Sequence, residues 1–523
     1  MLSRIGKFLP RISSIRRMST IPEGFEEKTE GSATILYPSE DVDVFYNPIQ
    51  QFNRDLSVLA IRAWINIQNE RRLAKLENQP KKRKISSTSA EPTRFVNIAE
   101  ALSATGLRSI RYAKEIPQVK KIVANDLSAP AVKSIQGNIE HNKVGDLVIA
   151  NQGDAIHFMS SPESQSKFQV VDLDPYGTAA PFIDSAIQCM TDDGLLLVTC
   201  TDLAVLAGNS YPEKCFVLYG GTNTRGDAVH ESALRLVLNL VASTAAKYGK
   251  CIEPLLSLSI DYYVRCFIRV KRSPIQLKQL ASQSMITYLC SGCGSTANQY
   301  MGRKTEDSKG QGGYKFSMSQ GPPVGPHCSF CGNVHHLTGP MWGGNLHNHE
   351  FIDKVLELKS SVSEGQYGTL KRVEGMLHMA KQEVDAPFYF KPTTISSVLK
   401  AAPPSVLDII TGLKNLGYES SLTHAMPSGI KTEAPWETIW YVCKKLGEKD
   451  EGFSQRLEKT SQTAPGYKIW KNENIGKDIE SQEDLFKHNE TTKAIKTLRK
   501  IKIVRFQENP TKNWGPQSRP GKK

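Results

Sequence analysis

The stretch Phe168-Gln169-Val170-Val171-Asp172-Leu173-Asp174-Pro175-Tyr176-Gly177 decides how the 523-residue chain is read. A short apolar run of this kind reads as a buried parallel strand, and here it ends abruptly in acid, proline, aromatic and glycine. In an open α/β sheet, ligands bind at the carboxyl ends of the strands, so Asp174 is expected at the lip of a cleft. Pro175 has no N–H to continue a ladder and forces a turn, while Gly177 permits a positive φ or close backbone approach. Standing alone, Asp174 before Pro175 has a lesser alternative reading as the N-cap of a helix over 179–187.

Outward from this strand the pattern repeats. Strands are predicted over Phe95–Ala99, Ile122–Ala124, Leu147–Ala150, Phe168–Val171 and Leu195–Thr199. Helices are expected over Leu107–Glu115, near Ala129–His141 and over Ala228–Tyr248, and two further strands over Leu255–Ile260 and Tyr263–Val270. Alternation of this kind gives an α/β, Rossmann-like domain with a doubly wound, mostly parallel sheet, and the final pair makes an antiparallel edge. Acids recur at the strand ends. Asp126 after the second strand is placed to accept the hydroxyls of a ribose, and Asp154 after the third can accept from an adenine amine. The first loop, Glu100-Ala101-Leu102-Ser103-Ala104-Thr105-Gly106, has one glycine where a dinucleotide fingerprint needs three, which argues against NAD.

The net charge of +13 is unevenly placed. Residues 1–20 carry Arg4, Lys7, Arg11, Arg16 and Arg17 among apolar residues at helical spacing, without an acid, as a mitochondrial targeting segment does. Pro80-Lys81-Lys82-Arg83-Lys84, inside a polar insertion at 79–90, reads as a nuclear localisation signal. From Thr491 to Lys523 ten basic residues face Glu508 alone, leaving the middle near neutrality. A grip on a polyanion is therefore expected from local patches and from the tail, which is read as partly flexible from 451 to 523. No apolar stretch is long enough for a transmembrane segment.

Four of the ten cysteines form two knuckles, Cys290-Ser291-Gly292-Cys293 and Cys328-Ser329-Phe330-Cys331, each followed by glycine. Two matched CxxC pairs are the signature of a tetrathiolate structural Zn2+ site, closed without help from His327, His335, His336, His347 or His349. Beyond Arg272 the composition changes, and an α+β C-terminal domain holding this site is expected over 273–450. Its segment Ile395–Cys443 is compatible with a winged-helix-like module or a plain helical subdomain.

Four motifs together resemble the tRNA (guanine-26-N2)-dimethyltransferase family. They are Phe52-Asn53-Arg54-Asp55, Ala101 to Tyr112 (ALSATGLRSIRY), Asn125-Asp126 and Asp172-Leu173-Asp174-Pro175-Tyr176-Gly177. The resemblance runs from about Phe25 to Cys443. It implies a class I methyltransferase domain over 21–272, S-adenosyl-L-methionine as methyl donor, and tRNA as partner, with no obligate protein partner evident. It further implies that Arg54, Arg108, Asp126, Asp154 and Ala155 line the donor site. Asp174 and the carbonyl of Pro175 would accept the hydrogens of the guanine amine, and Tyr176 would stack on the base. Two other classes remain open: an amino-group methyltransferase of rRNA or DNA, which also uses an Asp-Pro-aromatic corner, and a non-catalytic zinc RNA-binding protein. Retention of Asp126, Asp154 and Asp174 together argues against the latter.

Overall fold

Seven strands build the central sheet of the computed structural model, which describes residues 21–22, 24–38, 46–77, 94–306, 313–363, 365–480 and 484–500. The 1–20 segment, the basic insertion and the chain beyond 500 lie outside these residues. The strands are β1 (Val96–Glu100), β2 (Val119–Asp126), β3 (Val148–Gln152), β4 (Phe168–Leu173), β5 (Met190–Cys200), β6 (Lys250–Ile260) and β7 (Tyr263–Arg272). Their order across the sheet is β3-β2-β1-β4-β5-β7-β6. The first five are parallel, with Ile98 opposite Val170 and Val171 opposite Leu196. β7 pairs antiparallel to β5 and to β6, giving the expected antiparallel edge. The winding direction reverses between β1 and β4, the switch point at whose strand carboxyl ends a doubly wound sheet takes its ligand.

The apolar runs lack polar alternation because both faces are covered. Val170, Leu195 and Leu197 face α1 (Gln51–Glu77), α2 (Leu107–Glu115) and α3 (Ala129–Asn142) in one core. Val171, Leu173, Leu196 and Val198 face α5 (Ile183–Cys189) and α6 (Val229–Lys247) in the other. Packing crosses the expected boundary after residue 272. Phe351, Ile352, Val355, Val373 and Leu377, from helices His349–Ser360 and Leu370–Lys381, complete the core over α1.

A three-stranded antiparallel sheet follows, in the order Thr296–Tyr300, Ser284–Cys290, His335–Trp342. It docks on α6 through Met285, Met341 and Trp342, and the Arg235 guanidinium donates to the carbonyls of Trp342 (2.9 Å) and Gly344 (3.0 Å). A third core joins helices Pro392–Leu399, Val406–Asn415 and Trp436–Gly447 around Trp440, with a hairpin, Ser420–Leu422 and Ile430–Thr432, between the last two.

Residues 453–500, expected to begin a partly flexible tail, carry three more helices on this core. Phe453, Leu457, Ile469, Leu485 and Ile495 are all buried in it. These apolar residues are too sparse to show periodicity, and their burial depends on a surface made by residues 392–447.

Candidate active site

At the carboxyl end of β4, Asp174 sits at the lip with its side chain 19% exposed, Pro175 is buried and Tyr176 is 48% exposed. The corner is pinned to the end of β5. Gly177, at φ +83°, donates its N–H to Thr201 Oγ1 (2.8 Å), and its carbonyl accepts from Thr201 N (2.8 Å). A side chain at Gly177 would be strained in that left-handed conformation.

Behind the lip lies a buried charge network. Arg108, in the first turn of α2, forms an ion pair with Asp174 Oδ2, lies 3.4 Å from Asp172 Oδ2 and 3.6 Å from Glu100 Oε1, and donates to Asn53 Oδ1 and Ser57 Oγ. Asp172, fully buried, also accepts from Tyr112 Oη (2.6 Å) and from both Arg265 nitrogens (2.8 and 3.1 Å). Burial alone would raise the pKa of Asp172, but Arg265 and Arg108 outweigh it and hold the carboxyl below its ordinary range. At Glu100 burial wins over Arg108 and the Ser109 hydrogen bonds, and the pKa is pushed up to about 7. With Arg108 on Oδ2, the Oδ1 lone pairs of Asp174 remain to accept from an amine.

The loops after β1, β2 and β3 are assembled by Asn125, at the end of β2. Its amide donates to the carbonyls of Ala101 (2.9 Å) and Gly153 (3.0 Å), its Oδ1 accepts from Asn151 (2.7 Å), and its carbonyl accepts from Ser103 N (2.8 Å). One side chain thereby fixes the loops after β1, β2 and β3. In the first loop Gly106 adopts φ +75° against Ile135, which turns the chain into α2. Asp126 is half-buried; Oδ2 accepts from Ala104 N (2.9 Å) and Oδ1 from Ser128 N (2.9 Å). Asp154 caps α4 (Ala155–Ser160), its Oδ1 accepting from Ile156 N and His157 N, and Ala155 is buried behind it.

Arg54 is placed differently from Arg108. Its guanidinium is bidentate on Glu30 (2.7 and 2.6 Å) and donates to the Asn47 carbonyl (3.0 Å). Arg111 joins Glu30 as well, and together the two cations overcome burial to hold Glu30 at about 2. The helical period explains the split: Asn53 and Ser57 lie one turn apart and both meet Arg108, whereas Arg54 points about a quarter-turn away.

The four knuckle cysteines converge as expected. Their sulfurs all lie within 4.8 Å of one another, with Cys290–Cys331 at 3.3 Å and Cys293–Cys328 at 3.7 Å. A tetrahedron of Zn–S bonds of about 2.3 Å places sulfurs about 3.8 Å apart, so the set fits zinc. Backbone N–H groups of Gly292 and Cys293 point at Cys290 Sγ, and Asn333 Nδ2 at Cys331 Sγ, the donors that thiolates need. His347 is not among these ligands. It is buried with Glu383 and His424 beside the edge strand β6. There Ser257 N donates to His347 Nδ1 (3.4 Å) and Ser259 N to His424 Nε2 (3.1 Å). His424 Nδ1 lies 2.6 Å from Glu383 Oε1, so the trio ties the sheet edge to the 420–432 hairpin.

A sequence profile for N2,N2-dimethylguanosine tRNA methyltransferase matches residues 25–444. The chain belongs to this family. The Saccharomyces cerevisiae tRNA (guanine(26)-N(2))-dimethyltransferase, mitochondrial, is 49% identical over 95% of this chain and 93% of its own length. The Schizosaccharomyces pombe tRNA (guanine(26)-N(2))-dimethyltransferase is 46% identical, covering 95% and 92%. The structure of Trm1 from Pyrococcus horikoshii with S-adenosyl-L-methionine superposes with a TM-score of 0.62 at 29% identity, covering 80% of this chain and 99% of that one.

Several roles around this corner were not read from the sequence. Asp172 stood in the corner motif without a role of its own, although its two-residue spacing from Asp174 was a period-two signal open to reading. Arg265 and Glu100 gave no such signal, and Asn125 stood in its motif without a role, because these contacts come from strands brought together only in the sheet.

Proposed function

We propose that the protein is a tRNA (guanine(26)-N2)-dimethyltransferase that transfers two methyl groups from S-adenosyl-L-methionine to the exocyclic N2 of guanine 26. The observation that carries this is the Asp174-Pro175-Tyr176-Gly177 corner, clamped at the switch point of the sheet next to a loop set suited to a nucleoside. The guanine amine is a poor nucleophile because its lone pair is delocalised into the ring. Asp174 Oδ1 and the Pro175 carbonyl accept its two hydrogens, turn the lone pair outward and stabilise the charge that grows as the methyl moves. Each transfer releases one proton from nitrogen, which Asp174 takes up and passes to solvent; after the first a single N–H remains, and the same carboxylate accepts it for the second. Tyr176, half exposed, stacks on the base once it is drawn out of the tRNA.

The methyl donor supplies an electrophilic methyl on sulfonium. Asp126 would hold its ribose hydroxyls, and Asp154 and Ala155 the adenine edge. Arg108 would serve mainly by orienting Asp174, and Arg54 by fixing the chain that leads into α1. Cys290, Cys293, Cys328 and Cys331 would hold one structural Zn2+. In this reading residues 21–272, together with the helices of 349–381, form the catalytic body. The rest of the C-terminal half supports tRNA binding. Residues 1–20 direct the chain to mitochondria, as the yeast relative's name indicates for that protein, and Pro80–Lys84 directs it to the nucleus.

Incubation of purified tRNA with the protein and labelled donor, followed by nucleoside analysis, tests the activity. N2,N2-dimethylguanosine is the expected product, whereas methylated adenine or cytosine, or no product, would overturn the reading. Reporter fusions of residues 1–20 and 79–90 test the two addresses.

A further inference from the structure

The segment between β5 and α6 presents large apolar side chains to solvent from a firmly anchored helix. In the helix Pro212–Tyr219, Cys215 and Tyr219 are buried one turn apart, whereas Phe216 is 53% and Val217 80% exposed; Tyr211, at the helix start, is 49% exposed. Single exposed apolar residues are ordinary, but three within seven residues on an ordered element call for a partner.

The anchoring leads back to the catalytic corner. Tyr219 Oη shares a hydrogen bond of 2.7 Å with Thr178 Oγ1 and donates to Asp202 (2.8 Å). Thr178 follows Gly177 directly, and Asp202 follows Thr201, which clamps Gly177. The segment is also fastened at its far end. Asn223 Nδ2 donates to the Val205 carbonyl (3.0 Å), and Thr222 exchanges two 3.0 Å backbone hydrogen bonds with Gly339. The helix therefore sits at a fixed position relative to the Asp174 corner, with its apolar side turned out.

We propose that Phe216 and Val217, with Tyr211, form the surface that holds the tRNA nucleotides next to the extruded guanine. This inference rests on the activity proposed above. Drawing a base from a stacked stem leaves the faces of its neighbours uncovered, and an apolar or aromatic side chain is the chemical cover for such faces. Lys214 and Glu213 flank the patch with opposite charges, so it contributes through stacking rather than phosphate neutralisation.

The test uses the full-length enzyme and the variants Phe216→Ser, Val217→Ser, their double and Phe216→Trp. Readouts are kcat and KM for tRNA at two salt concentrations, donor affinity, thermal unfolding, sedimentation, and the fluorescence of 2-aminopurine placed beside the target guanine. The double variant is expected to raise KM for tRNA at least about fivefold, equally at both salt concentrations, and to lose the fluorescence change. Donor affinity and unfolding should be unchanged, and Phe216→Trp should retain function. An unaltered KM and fluorescence in the double variant would overturn the proposal. So would a change confined to self-association, which would make the patch a contact between copies. A wild-type protein that makes no dimethylguanosine would instead sink the activity itself, so the two failures are separable.

Discussion

Replacing Asp174 by alanine should abolish methyl transfer while sparing the fold, whereas replacing Asp172 should cost stability. The two acids are two residues apart, Asp172 in β4 and Asp174 just past its end, yet their surroundings differ. Asp174 is 19% exposed and has Arg108 as its ion-pair partner; without it Arg108 keeps Asp172, Glu100, Asn53 and Ser57. Loss of a positioned acceptor for the amine should cost about a hundredfold or more in kcat. Stability should change little, and donor affinity should be retained. Asp172 is fully buried among Tyr112, Arg265 and Arg108, so its removal leaves Arg265 without its carboxylate in the core. Breaking a buried pair in this way costs about 3–5 kcal/mol. Transfer of labelled methyl to tRNA under saturating donor gives kcat, calorimetry gives donor affinity, and denaturant midpoints give stability. Near-wild-type turnover in Asp174→Ala would remove that carboxylate from the chemistry. A loss of stability as large as that of Asp172→Ala would show that its role is structural.

The remaining predictions concern the donor, the metal, pH and the chain end. Asp126→Ala should weaken donor binding in calorimetry with the fold intact, and an unchanged affinity would mean that its carboxylate serves only the Ala104 and Ser128 amides. The purified protein should carry one zinc per chain by elemental analysis, and Cys290→Ser or Cys331→Ser should lower folding yield, because metal binding contributes directly to folding free energy. Glu100, raised from 4.5 to about 7 by burial, contributes stability that is complete below about 4.5 and lost as pH rises through 7. Glu100→Gln should therefore gain about 3 kcal/mol relative to the wild type between pH 4.5 and 8, read from denaturant midpoints at each pH; parallel profiles would refute the shift. Deleting 501–523, which carry six basic residues and one acid, should raise KM for tRNA and flatten its salt dependence without changing the product. A cut at 491 would instead remove the buried Thr492 and Ile495 and confound the result.

The sequence by itself determined the sheet, the corner and the metal knuckles, because each is written in local chemistry. Apolar runs bounded by turn residues mark strands buried on both faces, a proline after an acid ends β4 where ligands bind, and CxxC spacing brings thiolates together within one turn. It also carried the resemblance, since those local motifs recur in a set order. The tertiary structure alone decided what the charged residues do. Arg54 and Arg108 look equivalent in a string of letters. The helical period and the neighbouring strands send one to Glu30 and the other to Asp174. The same holds for the helices of 349–381, which complete the core over α1, and for the sparse apolar residues of 453–500, whose burial surface is made by distant parts of the chain. A buried charge or an isolated apolar side chain takes its partner from whatever the fold brings near it, and sequence separation carries no record of that distance.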